Sequence, residues 1–350
     1  MKALSKTLPE VAADYSPATG SDPGSDEVRE VPAECAGLRF DAALARMFPA
    51  HSRSRLQGWI KAGRFHLDGA PADVRRKVGG GERVTLVADT TAPDDADIEL
   101  ERLDDLVVPA DLPPARAEPV AFDVVHADAA IAVIDKPAGL VVHPGAGNRN
   151  GTLMNGLLHR WPTLAEVPRA GIVHRLDKDT SGLMVVALTL TAQTHLVRQL
   201  QARSVHRHYL ALALGNIEHD ASIYAPIGRH RTQRTRMAVL RAGSAGAREA
   251  RTHYRVKEHF ARATLLECAL ETGRTHQIRV HLASIGHPLA GDPVYGKTRS
   301  GDARLDAFPR QALHAWRLGL VHPVSGEACE WESPLPDDFA ALLAQLRTGD

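Results

Sequence analysis

The sequence predicts an α+β protein of two unequal parts, a small basic module followed by a larger domain. Three observations carry that reading. The chain has 350 residues, more than one average domain holds, and 44% of them are hydrophobic, enough for real cores. Short apolar runs bordered by Gly and turn residues alternate with stretches whose apolar residues recur at helical spacing. The charge, zero overall, is segregated. Residues 1–34 hold three basic against seven acidic residues (net −4), residues 35–90 ten against five (+5), residues 91–118 two against nine (−7), and residues 119–350 27 against 21 (+6). Acid sits in the tail and linker and base on the two folded parts, so a neutral whole still admits a polyanionic partner.

Aromatic residues make up only 5%, which leaves most packing to Ala, Val and Leu. Cys35, Cys268 and Cys329 lie far apart without paired spacing. That argues against a disulfide framework or zinc knuckle and fits a reducing cytoplasm. No apolar run is long enough to span a bilayer, and the N-terminus has no signal-peptide core, so a cytoplasmic protein without a membrane partner is expected. Glycine loops of the Walker or Rossmann type do not occur at a strand–helix junction. His206 and His208 lack a carboxylate or Cys at ligand spacing. Neither a metal nor a cofactor is expected.

Residues 1–34, rich in Pro, Gly, Ser, Asp and Glu, are expected to be a disordered acidic tail. In residues 35–90, Phe40, Leu44, Met47 and Phe48 recur at helical spacing. Ser52 is an N-cap candidate for a second helix with Leu56 and Ile60 inward and Gly63 at its end. Phe65, Leu67 and the Asp68-Gly69 turn predict a hairpin, and Val84, Leu86 and Ala88 a closing strand. Arg53, Arg55, Lys61, Arg64, Arg75, Arg76 and Lys77 cluster on the second helix and after the turn. Such a cluster is either a solvated face or a phosphate-binding one, and only five acids oppose it, which favours phosphate. Residues 91–118, acidic and carrying Pro93, Pro109, Pro113 and Pro114, form an extended linker.

In the larger part, 119–350, Val124-Val125 and Ile131 to Ile134 predict strands, and Thr152 starts a helix through Leu158. Residues 171–187 then hold a polar knot, His174-Arg175-Leu176-Asp177-Lys178-Asp179-Thr180-Ser181, between two apolar runs. Asp177 is expected on a tight loop at the lip of a core, tied to its own backbone by Asp179, Thr180 and Ser181 and set among basic neighbours. From composition alone this is an Asp-rich structural turn as readily as a catalytic loop. Residues 191–202 predict a helix, and 209–214 a strand on which Tyr209 alone would be a core tyrosine. Arg229, Arg231, Arg234, Arg236 and Arg241 form the densest basic run, read as RNA backbone contact over a mobile solvated loop. Residues 252–256 and 263–270 predict paired strands, Thr275 an N-cap, and Ile278, Leu282 and Ile285 one helix face. A last helix covers Phe339 to Leu346.

Three blocks carry a resemblance. His174-Arg175-Leu176-Asp177 with Lys178-Asp179-Thr180-Ser181-Gly182 resembles the signature loop of the RluA family of RNA pseudouridine synthases. Lys136-Pro137-Ala138-Gly139 resembles the family's first motif, and residues 271–281 its third. Residues 52–69 are similar to the S4 RNA-binding domain, with Asp68-Gly69 where Asn-Gly is usual. The resemblance implies an S4-like domain plus a pseudouridine synthase domain on a mixed, mainly antiparallel sheet with flanking helices. It implies Asp177 as the key carboxylate, Arg279 as its partner, and Tyr209 against the target base, helping to remove its C5 proton. On spacing alone Arg274 rivals Arg279. His174 and Arg175 are assigned to the substrate, Arg175 filling the gap a flipped nucleotide leaves. Lys136 is either structural or a phosphate contact, and Arg53, Arg55, Arg229, Arg231 and Arg234 contact RNA. Within the family, residues 140–148 and 310–315 resemble members acting on large-subunit ribosomal RNA at the helix 69 hairpin, so that RNA is the expected partner of a monomer. A silent RNA-binding assembly factor would need the basic surfaces but not the acid, tyrosine and arginine together. A small-molecule nucleoside glycosidase would have no use for an S4-like module.

Overall fold

The structure is a computed structural model that describes residues 27–48, 56–57, 59–60, 63–87, 115–145, 147–233, 236–296 and 299–348. The chain divides into two compact units, Met1–Asp94 and Asp95–Asp350.

In the first unit, strand β1 (Glu27–Glu30) precedes helix α1 (Phe40–Met47), then strands β2 (Phe65–Leu67), β3 (Ala70–Pro71) and β4 (Arg83–Leu86). The strands form an antiparallel sheet in the order β1-β4-β2-β3. The end of the expected acidic tail thus joins the sheet, because its backbone pairs with the free edge of β4. Asp68 (φ 53°) and Gly69 (φ 80°) are both left-handed, the combination a two-residue hairpin requires. Asp68 fills the place of Asn, and its carboxylate also accepts the Arg83 N–H. Phe65 centres the core, its ring 5.4 Å from Phe48, 5.8 Å from Trp59 and 6.4 Å from Phe40. Leu56 and Ile60 are buried and Gly63 (φ 73°) follows them, whereas Ser52, Arg53, Arg55, Lys61 and Ala88 lie outside the described residues.

The second unit is built on a nine-stranded sheet. Strands β5 (Asp123–Ala127) and β6 (Ile131–Lys136) lead to helix α2 (Leu153–Arg160), strand β7 (Ser181–Ala187), helix α3 (Leu190–Gln201) and strand β8 (His206–Leu214). Strand β9 (Ala221–Tyr224) follows, then a separate hairpin, β10 (Ile227–Arg229) and β11 (Met237–Val239). The chain continues through β12 (Arg251–His259), β13 (Ala263–Leu270), α4 (Gln277–Ser284), α5 (Ala303–Ala307), β14 (Leu313–Val321), β15 (Ala328–Glu332) and α6 (Asp337–Thr348). The order is β5-β6-β7-β14-β8-β13-β12-β9, with β15 on β14, and every pairing is antiparallel except β7 with β14.

Period-two alternation assigns the two faces. Met184 and Val186 of β7 point into a core shared with Leu153 and Leu157 of α2 and Ile278 and Leu282 of α4. Leu183, Val185 and Ala187 point to the other face, against Ala192, Leu196 and Val197 of α3. Burying each large side chain contributes roughly 1.5–3 kcal/mol. Helix α2 starts where Thr152 and Asn155 form a reciprocal capping box. At the mouth of β7, Gly182 (φ +112°) passes so close to β14 that a Cβ would lie 2.2 Å from the Ala315 carbonyl oxygen, so only glycine permits the parallel contact.

Candidate active site

The loop before β7 is held by parts of the chain far from it. Lys136, at the end of β6, donates its ammonium to the carbonyls of Pro137 (2.7 Å), Leu140 (3.0 Å) and Lys178 (2.9 Å). The Gly139 N–H donates to the same Lys178 carbonyl. From the β14 side, Arg310 donates to the Asp179 carbonyl (3.1 Å), Gln311 to the Thr180 hydroxyl (3.2 Å), and Ser181 bonds the His314 ring (3.0 Å). The Thr180 N–H closes the turn on the Asp177 carbonyl (3.1 Å). The expected local ties are therefore corrected in part: the Thr180 and Ser181 side chains bond outward, because β14 runs alongside the loop.

Asp177 leaves this loop toward α4. Its Oδ2 accepts from Arg279 Nη1 at 2.9 Å. Arg279 turns its other edge to Asp292 in a two-pronged pair, Nε to Oδ2 at 2.7 Å and Nη2 to Oδ1 at 2.9 Å. The N–H groups of Val294 and Tyr295 donate to Asp292 as well (2.8 and 2.9 Å). Burial opposes the Arg279 charge, but the bonds to Asp292 and Asp177 outweigh it and raise its pKa. Burial likewise pushes the Asp292 carboxyl up, and Arg279 and the two N–H donors bring it below its ordinary value. The Tyr295 ring lies 5.2 Å from the Arg279 guanidinium and 5.2 Å from that of Arg236. Its hydroxyl accepts the Met237 N–H (3.0 Å) and meets His276 Nδ1 (3.0 Å), so the β10–β11 hairpin and Arg279 share one support. His276 (φ 56°) is the residue that starts α4, one position after the expected Thr275 cap. Its Nε2 is 3.9 Å from Asp177, and burial lowers its pKa despite that carboxylate.

A cavity of about 260 Å³ opens beside Asp177. Arg175, Asp177, Tyr209, Arg207, Arg274 and Arg279 are among its walls. Tyr209 is buried, and burial together with Asp177 raises its pKa against the pull of Arg207, so the phenol stays protonated at neutral pH. Arg175 is exposed at the rim.

Asp177, Tyr209, Arg279 and Arg175 are thus brought to one pocket. Two expectations change. Lys136, open between scaffold and phosphate, is fully buried with three carbonyls on its ammonium, which makes it scaffold. Burial also lowers its pKa to about 7 against the pull of Asp179 and Asp177. His174, expected at the substrate, does line the pocket but is buried, with burial lowering its pKa to about 3. Its neutral Nε2 accepts the Val185 N–H (3.1 Å), so it props β7 and carries no charge to a phosphate. Arg274 spends its Nε on the Glu249 carbonyl, which leaves Arg279 the partner of Asp177. Arg229 and Arg231 are exposed on β10 and the turn after it, outside the pocket wall. Arg234, Arg53 and Arg55 lie outside the described residues. The sequence did not single out Asp292, Tyr295 or His276 for the site. It also passed over Arg207, although a spacing of two from Tyr209 on a strand places both on one face.

The RNA pseudouridylate synthase family matches residues 130–284, and the S4 domain matches residues 38–84. Ribosomal large subunit pseudouridine synthase D of Nitrosomonas europaea is 54% identical over 336 residues, 95% of this chain and 91% of that protein. Its namesake from Pseudomonas aeruginosa is 51% identical over 91% of this chain and 95% of that protein. The one from Escherichia coli strain K12 is 48% identical over 89% and 91%. Among solved structures, human RNA pseudouridylate synthase domain containing 1 superposes with a TM-score of 0.51 at 28% identity, over 66% of this chain and 96% of that one.

Proposed function

Because the chain belongs to the RluA family of RNA pseudouridine synthases, joined here to an S4 domain, we propose that it isomerises uridines of large-subunit (23S) ribosomal RNA in the helix 69 hairpin, with Asp177 as the working carboxylate. The carrying observation is the Asp177–Arg279 pair at 2.9 Å in one cavity with Tyr209.

The reaction breaks the N1–C1′ bond and makes a C5–C1′ bond, with no change of oxidation state and no net water. One carboxylate suffices, as nucleophile at C1′ or as base on a ribose proton to form a glycal. Glycosidases instead flank the bond with two. Asp292 does not supply the second, since its side chain is sealed from solvent and spent on Arg279. Arg279 fixes the direction of the Asp177 oxygens. Tyr209 is the wall against which the uracil lies. It takes the C5 proton only after losing its own, and burial opposes that, so the packing role is the one assigned. Arg175 at the rim occupies the gap left by the extruded nucleotide. The exposed Arg229 and Arg231, with Arg75, Arg76 and Lys77 of the S4 unit, contact the RNA backbone. None of the helices among the described residues is long and apolar enough to cross a membrane, and a ribosomal RNA substrate places the protein in the cytoplasm.

The test is carbodiimide mapping of pseudouridine in RNA from a strain lacking the protein. Marks in the helix 69 hairpin should vanish and return with the wild-type chain. Loss confined to transfer RNA would overturn the ribosomal assignment.

A further inference from the structure

Arg207 is a charged side chain with no counter-ion among the described residues. It stands on β8, 8% exposed, on the same face as Tyr209, and forms part of the cavity wall. Among the described residues it makes neither a hydrogen bond nor an ion pair, and its Nε is wholly buried. Its charged surroundings are unfavourable. Burial lowers its pKa and Arg274 lowers it further, with Tyr209 pulling the other way. Its neighbour His174 is kept neutral, by burial and by the Arg207 charge. The two acids of the wall are engaged elsewhere: Asp177 by Arg279, and Glu271 by Arg203, Arg251 and His253. Room for the guanidinium is built in, since a Cβ at Gly273 would lie 2.7 Å from Arg207 Nη1.

A guanidinium remains charged at every working pH, and a buried unpaired charge destabilises the fold. Its retention here calls for an anion that arrives with the ligand. Uracil and ribose are neutral, and the phosphodiester is the anion that RNA brings to a site. We propose that Arg207 binds the phosphate of the nucleotide whose base enters the cavity, with Gly273 holding the space for it. The inference rests on the pseudouridine synthase reading. It adds a second point of attachment on the cavity wall, one that would set the depth of the flipped nucleotide.

The test has one arm that needs no turnover. Thermal unfolding of the full-length protein is followed with inorganic phosphate, with chloride at equal ionic strength, with UMP and with uridine. Phosphate and UMP should raise the midpoint of the wild type above chloride, and UMP above uridine. Arg207→Met should lose that rise, and its ligand-free midpoint should lie above that of the wild type, because a buried bare charge has gone. Arg207→Lys should keep part of the phosphate response. In the second arm, kcat/KM on 23S ribosomal RNA isolated from a strain lacking the protein should fall at least tenfold in Arg207→Met, with partial rescue in Arg207→Lys. The proposal is overturned by a phosphate response unchanged in Arg207→Met, by equal protection from uridine and UMP, or by an Arg207→Met chain that melts lower than the wild type. If the wild type shows the phosphate response but makes no pseudouridine, the anion site stands and the reaction assignment falls.

Discussion

Arg279 and Arg207 are buried in the same cavity wall, 4% and 8% exposed, and their charges meet opposite conditions. Arg279 is held by two carboxylates, one of which takes two further backbone N–H bonds. Arg207 has no anion among the described residues. The first is fixed before any ligand arrives and can hold the Asp177 oxygens in one direction without reorganising, which is what an electrostatic catalyst requires. The second faces an incomplete site and gains its partner on binding. The difference shows that burial alone does not tell structural from receptive charge. The count of partners does.

The largest expected effect is at the carboxylate itself. Asp177→Asn should lower kcat on the order of 10⁴-fold or more. Arg279 still has Asp292 in that variant, so RNA affinity and the melting midpoint should hold. Retained turnover, measured by carbodiimide mapping, would remove Asp177 from the chemistry. Next comes the held arginine. Arg279→Met leaves Asp292 buried with only the Val294 and Tyr295 N–H groups and no counter-ion, which costs about 3–5 kcal/mol of stability. Urea unfolding should show it, and the opposite sign at Arg207→Met makes the two variants a direct test of the contrast. A smaller loss should follow Asp292→Asn, which keeps the Asp177 contact but loosens its support: kcat should drop roughly 10–100-fold with KM little changed. A rise in KM alone would place Asp292 outside the positioning of Arg279.

The smallest effect concerns Lys136. Its pKa is about 7 in the fold and 10.5 as an ordinary lysine. Between those values the unfolded chain binds the extra proton, so unfolding free energy should rise as pH climbs from 7 toward 10.5. Below 7 both states are protonated and the cost of the buried charge is fully present. Over the same climb the neutral amine gives up one of its three donors to the loop carbonyls, so turnover should decline while the fold gains stability. Lys136→Met should flatten the stability rise in urea titrations run at pH 6.5 and 8.5. A rise that persists in the variant would assign it to another group.

Much of the fold was legible because it is local. The apolar runs of β7 and β8, the Thr152 cap and the Asp68-Gly69 turn are all written within a few residues. So was the loop that carries Asp177, whose letters are distinctive. What a segment touches was less legible. The β1 pairing is a backbone ladder helped by Arg29 over the Phe48 ring and by the buried Val31, too sparse in apolar residues to stand out in the tail. Lys136 and His174 look like surface cations in the sequence, and only the crossing of β6, β7 and the loop decides that both are internal.

By itself the sequence determined the elements, the segregation of charge and the set of reactive side chains, since propensity and period act over a turn or a strand. Tertiary structure decided the partnerships: Asp177 with Arg279 across 102 residues, Asp292 behind them, and Arg207 with no anion among the described residues. The physical reason is that periodicity tells which face a side chain occupies, whereas the state of a charge depends on what the rest of the chain brings to that face.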